Sequence, residues 1–341
     1  MKHWGKELSS FITVVYYEER LRIQRLSSGT FIFADIELLS PKEAEWAAYI
    51  WEALFSSGKE IRLLNHPTRS MRRFELLRML HHQGVNRHNI HKLTDSQANI
   101  RFPVFIRNEN DHNGPLTTLI KSSTNLADVV SGLKKAGTYL DDKIIAEFNN
   151  LSDSEGVYRK YSAFIVGNRI IARHIFFSKN WMIKRPDLDD KSLMEEELGY
   201  VMNNPHEELL RKYFKLASIE YGRIDYGMLN GKPQVWEINT NPMIAGLISS
   251  MIPERAKTHE HFTAQISSAF KSINCKVGSP VQLEISRLWG ERLRFFLRWI
   301  YIRALKLINI LPVTEDSRNA ILNTLDLVKV YIKKHRFYRM S

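Results

Sequence analysis

Residues 222–242 read Gly-Arg-Ile-Asp-Tyr-Gly-Met-Leu-Asn-Gly-Lys-Pro-Gln-Val-Trp-Glu-Ile-Asn-Thr-Asn-Pro and predict a β-hairpin. The pair Asn230-Gly231 is the dipeptide most typical of a two-residue hairpin turn. The residues before it, Arg223 to Leu229, alternate as a strand does, and Gln234 to Ile238 return as the partner strand. An antiparallel pair of strands therefore decides how this part of the chain folds.

Three oxygen-bearing side chains of the hairpin, Asp225, Glu237 and Asn239, are candidates for a metal site. Side chains alternate between the faces of a strand, so Glu237 and Asn239 project to one side and the hairpin folds Asp225 back beside them. Hard oxygen ligands without His or Cys suit Mg²⁺ held against phosphate groups. The pattern also fits a surface hairpin that carries acids without a ligand.

The returning segment, residues 236–242, resembles the Glu-x-Asn metal motif of the ATP-grasp superfamily. These are the carboxylate–amine ligases related to glutathione synthetase, RimK and D-alanine–D-alanine ligase. An upstream Asp, here Asp225, is also part of that family's pattern. The resemblance covers about residues 61–251. It implies ATP and Mg²⁺ as cofactors, with Asp225 and Glu237 binding the magnesium ions and Asn239 completing the set.

The composition is that of an ordinary globular protein. Its 341 residues are enough for two or three lobes, and 44% are hydrophobic and 25% charged. The single cysteine, Cys275, excludes an internal disulfide framework and fits a reducing compartment. We find no secretory signal and no apolar run of about 18 residues, so we expect a cytoplasmic protein without a membrane span.

The net charge of +12 indicates anionic partners. ATP, acidic substrates, nucleic acid and anionic lipid are all candidates. No zinc-finger or homeodomain signature accompanies the basic residues, so we do not expect nucleic acid as a partner. Residues 284–311 predict a basic amphipathic helix with aromatic side chains. Such a helix either lies on an anionic membrane surface, as in a peripheral protein, or packs against the catalytic lobe or a second copy of the chain.

The order of elements predicts an α/β (α+β) fold. The N-terminal part alternates strands and helices in a way that favours a small parallel layer, with one helix capped by Ser40 and Glu43. The predicted strands are 11–17, 30–39, 60–64, 89–93, 101–107, 143–148, 158–166, 169–177 and 181–183, and the predicted helices begin at Ser40, near Thr68, near Asn125 and near His206. Residues 187–197 predict a loop leading into a helix.

The resemblance divides this chain into four parts. Residues 1–98 would form a pre-ATP-grasp lobe, 99–185 the lid subdomain and 186–278 the metal-binding subdomain, so that two α+β lobes clasp the nucleotide. Residues 279–341 form a helical extension that lies outside the resemblance.

Nucleotide-binding residues are expected on two predicted strands. Arg107 stands where the family has a lysine that contacts phosphate, and a guanidinium also matches phosphate oxygens. Residues 108–114 then form a polar loop that resembles a phosphate lid with a single glycine, Gly114. Glu147 and Phe148 resemble the hinge strand that meets adenine and ribose, whereas an exposed glutamate at a strand end is the alternative.

Catalytic cations are expected on the hairpin 158–177 and just after it. The resemblance implies that cations there lie over the transferring phosphate and the acyl substrate. Arg159 and Lys160 both lie near the expected position, so which of them acts stays open. Arg173 and Lys184 are the candidates that strand order favours, and Lys184 would also contact nucleotide. A charge-rich hairpin that faces solvent is the alternative.

A further cation is expected in the N-terminal part. The turn Asn65-His66-Pro67 and the helix after it resemble the RimK and glutathione-synthetase branch, in which this helix carries a cation. Arg69, Arg72 or Arg73 would supply it, and a solvated basic helix face is the alternative.

Four neighbouring histidines, His81, His82, His88 and His91, have no regular ligand spacing. We therefore expect solvated side chains and not a metal cluster.

The resemblance to the ATP-grasp superfamily implies an ATP-dependent ligase. ATP would phosphorylate a substrate carboxylate, and an amine would attack the acyl phosphate to give an amide, ADP and phosphate. Two alternatives stay open: an ATP-grasp phosphotransferase that stops at a phosphorylated hydroxyl, and a degenerate ATP-binding protein without activity.

Overall fold

The computed structural model describes residues 8, 12–17, 25–26, 28–57, 60–95, 99–188, 190–244, 255–275 and 280–282. The chain divides into two compact units, Met1–Ile12 with Gly29–Val277 and Thr13–Ser28 with Gly278–Ser341. In the second unit, β1 (Arg25–Leu26) and β11 (Val281–Gln282) pair in antiparallel. The predicted helix 284–311 lies outside the described residues, and so do residues 246–251, which the sequence offers as a lining for the acceptor side of a cleft. The subdomain boundaries stay predictions.

The first unit begins with the parallel layer that the sequence predicts. Strands β2 (Thr30–Ile32) and β3 (Arg62–Leu64) pair in parallel and are connected through α1 (Pro41–Phe55). The strand predicted over 30–39 is wrong beyond Ile32, because Ile36–Leu38 form a 3-10 helix.

The start of α1 has the predicted capping box. The Ser40 hydroxyl accepts from the backbone N–H of Glu43, and the Glu43 carboxylate accepts from the backbone N–H of Ser40 at 2.8 Å. Two N–H groups that the helix leaves unpaired are thus satisfied, and this prediction is confirmed.

Asn65 joins this layer to the sheet that contains the hairpin of Asp225 and Glu237. Its φ is +60° and its side chain is 1% exposed. Its amide nitrogen donates to the backbone oxygens of Phe33 and Tyr221, and its amide oxygen accepts from the backbone N–H groups of Glu220 and Tyr221. Asn tolerates a positive φ and supplies donors and an acceptor in one side chain. Asn65 therefore fixes the start of the strand that carries Asp225.

The second sheet is antiparallel and has the order β4-β6-β5, with β4 (Ile90–Lys92), β5 (Val104–Asn108) and β6 (Lys143–Glu147). The helix α3 (Ser123–Lys135) follows β5 in the chain. The sequence placed residues 89–93 in the parallel N-terminal layer, which is wrong, because β4 pairs in antiparallel with β6.

The helix α2 (Arg73–His82) begins several residues later than predicted. The N–H groups of Arg69 and Ser70 both donate to the oxygen of His66, so a tight turn replaces the first predicted helical turn. Arg73 thereby becomes the first helical residue.

The third sheet has the order β10-β9-β7-β8 and contains the predicted hairpin. Its strands are β7 (Tyr158–Val166), β8 (Arg169–Ser178), β9 (Tyr221–Leu229) and β10 (Lys232–Asn239). All neighbouring strands run antiparallel. The turn at Asn230-Gly231 has positive φ at both residues, as the dipeptide predicts.

Helices cover both faces of the third sheet. One face packs on α2 and α5 (Glu207–Ala217) through Leu77, Phe214 and Ile224, and the other packs on α6 (Ala256–Ile273) through Phe164 and Phe262. The remaining helix is α4 (Lys191–Asn203). Within the described ranges, no helix combines the length and apolarity needed to cross a bilayer.

Three local predictions need correction. Residues 12–17 of the first predicted strand form no strand, and neither do residues 181–183, which are irregular. The loop predicted over 187–197 ends early, because α4 already begins at Lys191. The fold class itself, a mixed α/β protein with parallel and antiparallel sheets, is as predicted.

We expect Asn65→Ala to destabilise the protein by about 3 kcal/mol or more, because buried backbone groups lose their partners and Ala is strained at positive φ. Asn65→Gly loses the same hydrogen bonds without the strain, so it should be about 1 kcal/mol less destabilised. Urea unfolding followed by circular dichroism measures both values. Unfolding midpoints equal to that of the wild type would contradict this role of Asn65.

Candidate functional site

A row of four polar side chains crosses the third sheet. Glu237 on β10 stands opposite Asp225 on β9, Asp225 opposite Ser162 on β7, and Ser162 opposite His174 on β8. Opposite residues share a face of the sheet. The hairpin thus places both acids side by side, and Asn239 follows two residues after Glu237.

Two β-bulges flank this row. The pairing shifts by one residue between Val235 and Glu237, which leaves Trp236 as an extra residue on β10. A second shift lies between the pair Ser162–His174 and the next pair, Ala163–Ala172. It leaves Arg173 as an extra residue on β8. A bulge changes the direction of the side chains around it, and bulges are frequent next to functional sites.

Asp225 is ionised in the protein interior. Its side chain is 1% exposed. It accepts from Ser162 Oγ at 2.6 Å, from Arg223 Nε at 2.9 Å and from Lys160 Nζ at 2.7 Å. Burial alone would raise the pKa of Asp225, but Arg223 and Lys160 outweigh burial and hold the pKa far below its usual value.

Glu237 has a different set of cations. Arg73 Nη2 donates directly to its carboxylate, and Arg107 Nη2 lies 3.8 Å from the same oxygen. Burial and the neighbouring Asp225 oppose ionisation, yet the two guanidiniums lower the pKa of Glu237 to about 2. His112 Nδ1 lies 3.9 Å from this carboxylate.

The donor set of Asp225, Glu237 and Asn239 fits a magnesium ion. Both carboxylates are ionised, and all three side chains line one cavity. The Asn239 amide oxygen accepts from the backbone N–H of Asn241 at 2.7 Å and keeps a second lone pair. Oxygen-only sets of this kind are typical of Mg²⁺ sites that also take waters and phosphate oxygens.

The cavity has a volume of about 380 Å³, which is suited to a small molecule. One part of its wall is aromatic: Trp181 lies with its ring centroid 5.1 Å from that of Phe105 and 5.5 Å from that of Phe148. Trp236 also lines the cavity. The charged part of the lining consists of Arg73, Arg107, Lys160, Lys184, Arg223, Asp225, Glu147 and Glu237.

Gly227 allows the cavity wall to form beside Trp236. A Cβ atom at residue 227 would lie 2.5 Å from Leu151 Cδ1 and 3.0 Å from Trp236 Cζ2. Both side chains line the cavity, so only glycine leaves room for them at this point of β9.

Five residues predicted as nucleotide ligands or catalytic cations line this cavity: Arg107, Glu147, Phe148, Lys160 and Lys184. Glu147 also connects two backbone segments, since its two carboxylate oxygens accept hydrogen bonds from the N–H groups of Asn89 and Arg101, each at 3.0 Å. These contacts and Arg101 hold the pKa of Glu147 below its usual value although burial opposes this.

Arg159 and Arg173 are not among the described residues that line the cavity. Arg159 donates to Glu196 at 2.9 Å and also pairs with Asp153. The guanidinium of Arg173 lies over the ring of Phe262, and its Nε donates to the backbone oxygen of Ile244 at 3.2 Å. The catalytic roles given to both residues stay predictions.

Several residues of the site escaped the sequence analysis. Arg223 lies two residues before Asp225 and on the same face, so the period of two along the strand could have found it. Arg73 was one of three possible cations of its segment, and the structure brings this one to the site. His112 and Trp181 lie in irregular segments, where no local pattern points to them.

The four neighbouring histidines do not form a metal cluster. Within the described ranges, the His, Cys, Asp and Glu side chains close enough to share an ion are Asp35, Glu37 and His112. The prediction of solvated histidines is wrong for His88, which is buried and lines the cavity. Burial lowers the pKa of His88 to about 4.

Comparison with known proteins gives matches in structure alone. No family model and no curated protein matches the chain. The D-alanine–D-alanine ligase of Bacillus anthracis, complexed with ATP, is 12% identical over 67% of this chain and 78% of its own, with a TM-score of 0.37. An L-amino acid ligase from Bacillus licheniformis is 15% identical over 69% of this chain and 54% of its own, at 0.40.

A RimK domain ATP-grasp protein from Sphaerobacter thermophilus is 12% identical over 65% of this chain and 76% of its own, with a TM-score of 0.38.

The buried neutral state of His88 predicts a pH dependence of stability. Its pKa in the folded protein lies below the unfolded value of about 6.5, so the unfolded chain binds more protons as the pH falls. We expect His88 to cost up to about 3 kcal/mol of stability between about pH 6.5 and about pH 4.

Comparison of the wild type with His88→Gln in urea unfolding at several pH values measures this cost. The variant should lose less stability than the wild type on acidification. His82→Gln, at an exposed neighbour on α2, is the control and should follow the wild type. Parallel pH profiles of the wild type and His88→Gln would contradict the prediction.

Proposed function

We propose that the protein is an ATP-grasp enzyme that uses Mg–ATP to activate a carboxylate as an acyl phosphate and joins it to an amine. The observation that carries this proposal is the juxtaposition of Asp225, Glu237 and Asn239 on one wall of a cavity that also has cationic and aromatic sections. The donor set suits Mg²⁺, the cations suit phosphates, and the aromatic section suits a nucleobase.

Different residues of the cavity suit different parts of Mg–ATP. Lys160, Lys184 and Arg107 supply positive charge for the phosphate chain, and charge-assisted hydrogen bonds of this kind are the strong ones. Phe148 and Trp181 give the base apolar rings to pack against. Bound Mg²⁺ would supply charge neutralisation on the phosphate oxygens.

The proposed reaction balances in two steps. In the first, an oxygen of the substrate carboxylate forms a bond to the γ-phosphorus, and the bond from that phosphorus to the β–γ bridging oxygen breaks. This step gives the acyl phosphate and ADP. In the second, the amine nitrogen attacks the acyl carbon, the bond from carbon to the phosphate oxygen breaks, and the amine proton passes to solvent or phosphate. The products are an amide, ADP and phosphate.

The cavity supports the second step by keeping the intermediate from water. An acyl phosphate hydrolyses when water reaches it, so a ligase must cover its site. Gly114 is the last residue of the polar loop 108–114, and a Cβ atom at this residue would lie 3.0 Å from Lys184 Cε. The loop and the segment that carries Lys184 thus meet beside the cavity, which suits a cover over the reacting groups.

Product analysis tests the proposal. The full chain is incubated with ATP, Mg²⁺ and sets of carboxylic acids and amines, and products are identified by mass spectrometry. ADP and an amide that form only when both acid and amine are present support a ligase. A stable phosphorylated alcohol indicates a phosphotransferase instead, and absence of ATP consumption with every acceptor pair contradicts an enzyme.

We expect Glu237→Gln to lower turnover by about 100-fold or more, because the amide lacks the charge that a metal ligand contributes. Glu208→Gln is the matched control, since Glu208 is exposed on α5. Steady-state rates of ADP release measure both variants. Turnover within about twofold of the wild type in Glu237→Gln would contradict the metal role.

A pair of adjacent substitutions distinguishes Lys160 from Arg159. Lys160→Met removes a cation from the cavity wall and leaves Asp225 paired with Arg223, so we expect the affinity for Mg–ATP to fall about tenfold or more. Arg159→Met removes ion pairs with Asp153 and Glu196, which are not among the described residues that line the cavity, and we expect a change within about twofold. Isothermal titration calorimetry measures both affinities, and equal losses would contradict this assignment.

A further inference from the structure

Arg73 connects three separate parts of the first unit. It is the first residue of α2 and its side chain is 5% exposed. Its Nη1 donates to the backbone oxygens of Glu109 and Asp111, the latter at 2.9 Å, and contacts that of Asn108. Its Nη2 donates to the carboxylate of Glu237. One guanidinium thus ties the polar loop 108–114 to the hairpin.

Arg107 strengthens the same connection. Its Nη2 donates to the oxygen of Asp111 at 3.2 Å and lies 3.8 Å from the Glu237 carboxylate. The carbonyl groups of the loop therefore face two guanidiniums, and both guanidiniums face Glu237. The two guanidiniums thus hold the carbonyl groups of the loop beside the Glu237 carboxylate.

The Glu237 oxygen that meets Arg73 is the oxygen that also faces Arg107 and His112. A metal ion bound to this oxygen would stand within contact distance of one or more of these cations. Like charges at that separation repel strongly where water is excluded. Metal and guanidinium therefore compete for one carboxylate.

Arg73 has a donor left for a new partner. Its Nε–H is buried and has no hydrogen-bond partner among the described residues, and Arg73 lines the cavity. Buried donors without a partner are uncommon, and each calls for an acceptor. An anion in the cavity would supply one.

We propose that Arg73 is a positioning residue that regulates the site by competing with the metal ion for Glu237, so that metal binding releases the loop 108–114. This inference rests on the proposed function, since it takes Glu237 as a metal ligand. In the metal-free state Arg73 neutralises Glu237 and fastens the loop. When a metal ion binds Glu237, Arg73 loses its carboxylate partner and becomes available to an anionic group in the cavity.

Metal binding without nucleotide tests the competition. We titrate the full chain with Mn²⁺, an oxygen-preferring substitute for Mg²⁺, and measure free Mn²⁺ by electron paramagnetic resonance. We expect Arg73→Gln to bind Mn²⁺ about tenfold more tightly than the wild type, a coupling of ordinary size between two ligands of one site. Amide hydrogen exchange in residues 108–114 should also become faster, because the carbonyl groups lose their cation.

Arg69→Gln is the matched control, because Arg69 lies four residues away, is 60% exposed and pairs with Glu52. It should change neither the Mn²⁺ affinity nor the exchange of the loop. If Arg73→Gln does not fold, Arg73→Lys replaces it. Lysine lacks the planar fork with which Arg73 spans Glu237 and the loop carbonyls through two nitrogens, so Mn²⁺ affinity and loop exchange should both rise above the wild type.

Glu237→Gln separates failure of this inference from failure of the proposed function. One outcome overturns the inference and leaves the metal site in place: Glu237→Gln loses Mn²⁺ binding, but the Arg73 variant that folds keeps the Mn²⁺ affinity and the loop exchange of the wild type. Unchanged Mn²⁺ binding in Glu237→Gln overturns the metal site and the inference with it.

Discussion

The whole site depends on keeping two neighbouring carboxylates ionised in a place that is nearly closed to water. Asp225 and Glu237 stand opposite each other on adjacent strands, and each raises the cost of ionising the other. An isolated buried carboxylate takes up a proton, so both need cations close by. Asp225 has Lys160 and Arg223, and Glu237 is paired by guanidiniums from outside the third sheet.

This constraint explains why the first unit is assembled from distant segments. Arg73 comes from the start of α2 and Arg107 from β5, and neither lies on the sheet that carries the acids. Buried charges without partners destabilise a protein severely, so the acids of the hairpin and the cations of the other elements depend on each other. Asn65 adds an uncharged connection of the same kind, between the end of β3 and the start of β9.

Local sequence patterns were sufficient to predict the turns, caps and strands whose structure depends on the residues within them. The turn at Asn230-Gly231, the capping box at Ser40 and the strand Tyr158–Val166 follow from the residues within them, and the structure has all three. The juxtaposition of Asp225 with Glu237 also follows from one hairpin, because the turn sets the register of its two strands.

What depends on contacts between distant segments was not predictable in this way. The sequence offered three arginines near residue 70, and only the tight turn closed at His66 makes Arg73 the one that begins the helix. No feature of the sequence distinguishes His88 from His81, His82 and His91, but packing places it in the cavity wall. The short strand Ile90–Lys92 has no local feature that distinguishes a parallel from an antiparallel partner. The bulges at Trp236 and Arg173 likewise arise from pairing across strands.

The balance of charge around Glu237 and Asp225 leads to one more consequence for ligand binding. Without ligand, each of the two acids is paired with two cations, Asp225 with Lys160 and Arg223 and Glu237 with Arg73 and Arg107. A metal ion alone would satisfy the acids and leave buried guanidinium groups unpaired, and a nucleotide alone would satisfy the cations and leave buried carboxylates unpaired. A metal–nucleotide complex would bring a partner for each set, so that neither the acids nor the cations would be left unpaired. In the proposed enzyme, either ligand alone would exchange a paired buried charge for an unpaired one, so the proposed site favours binding of metal and nucleotide together.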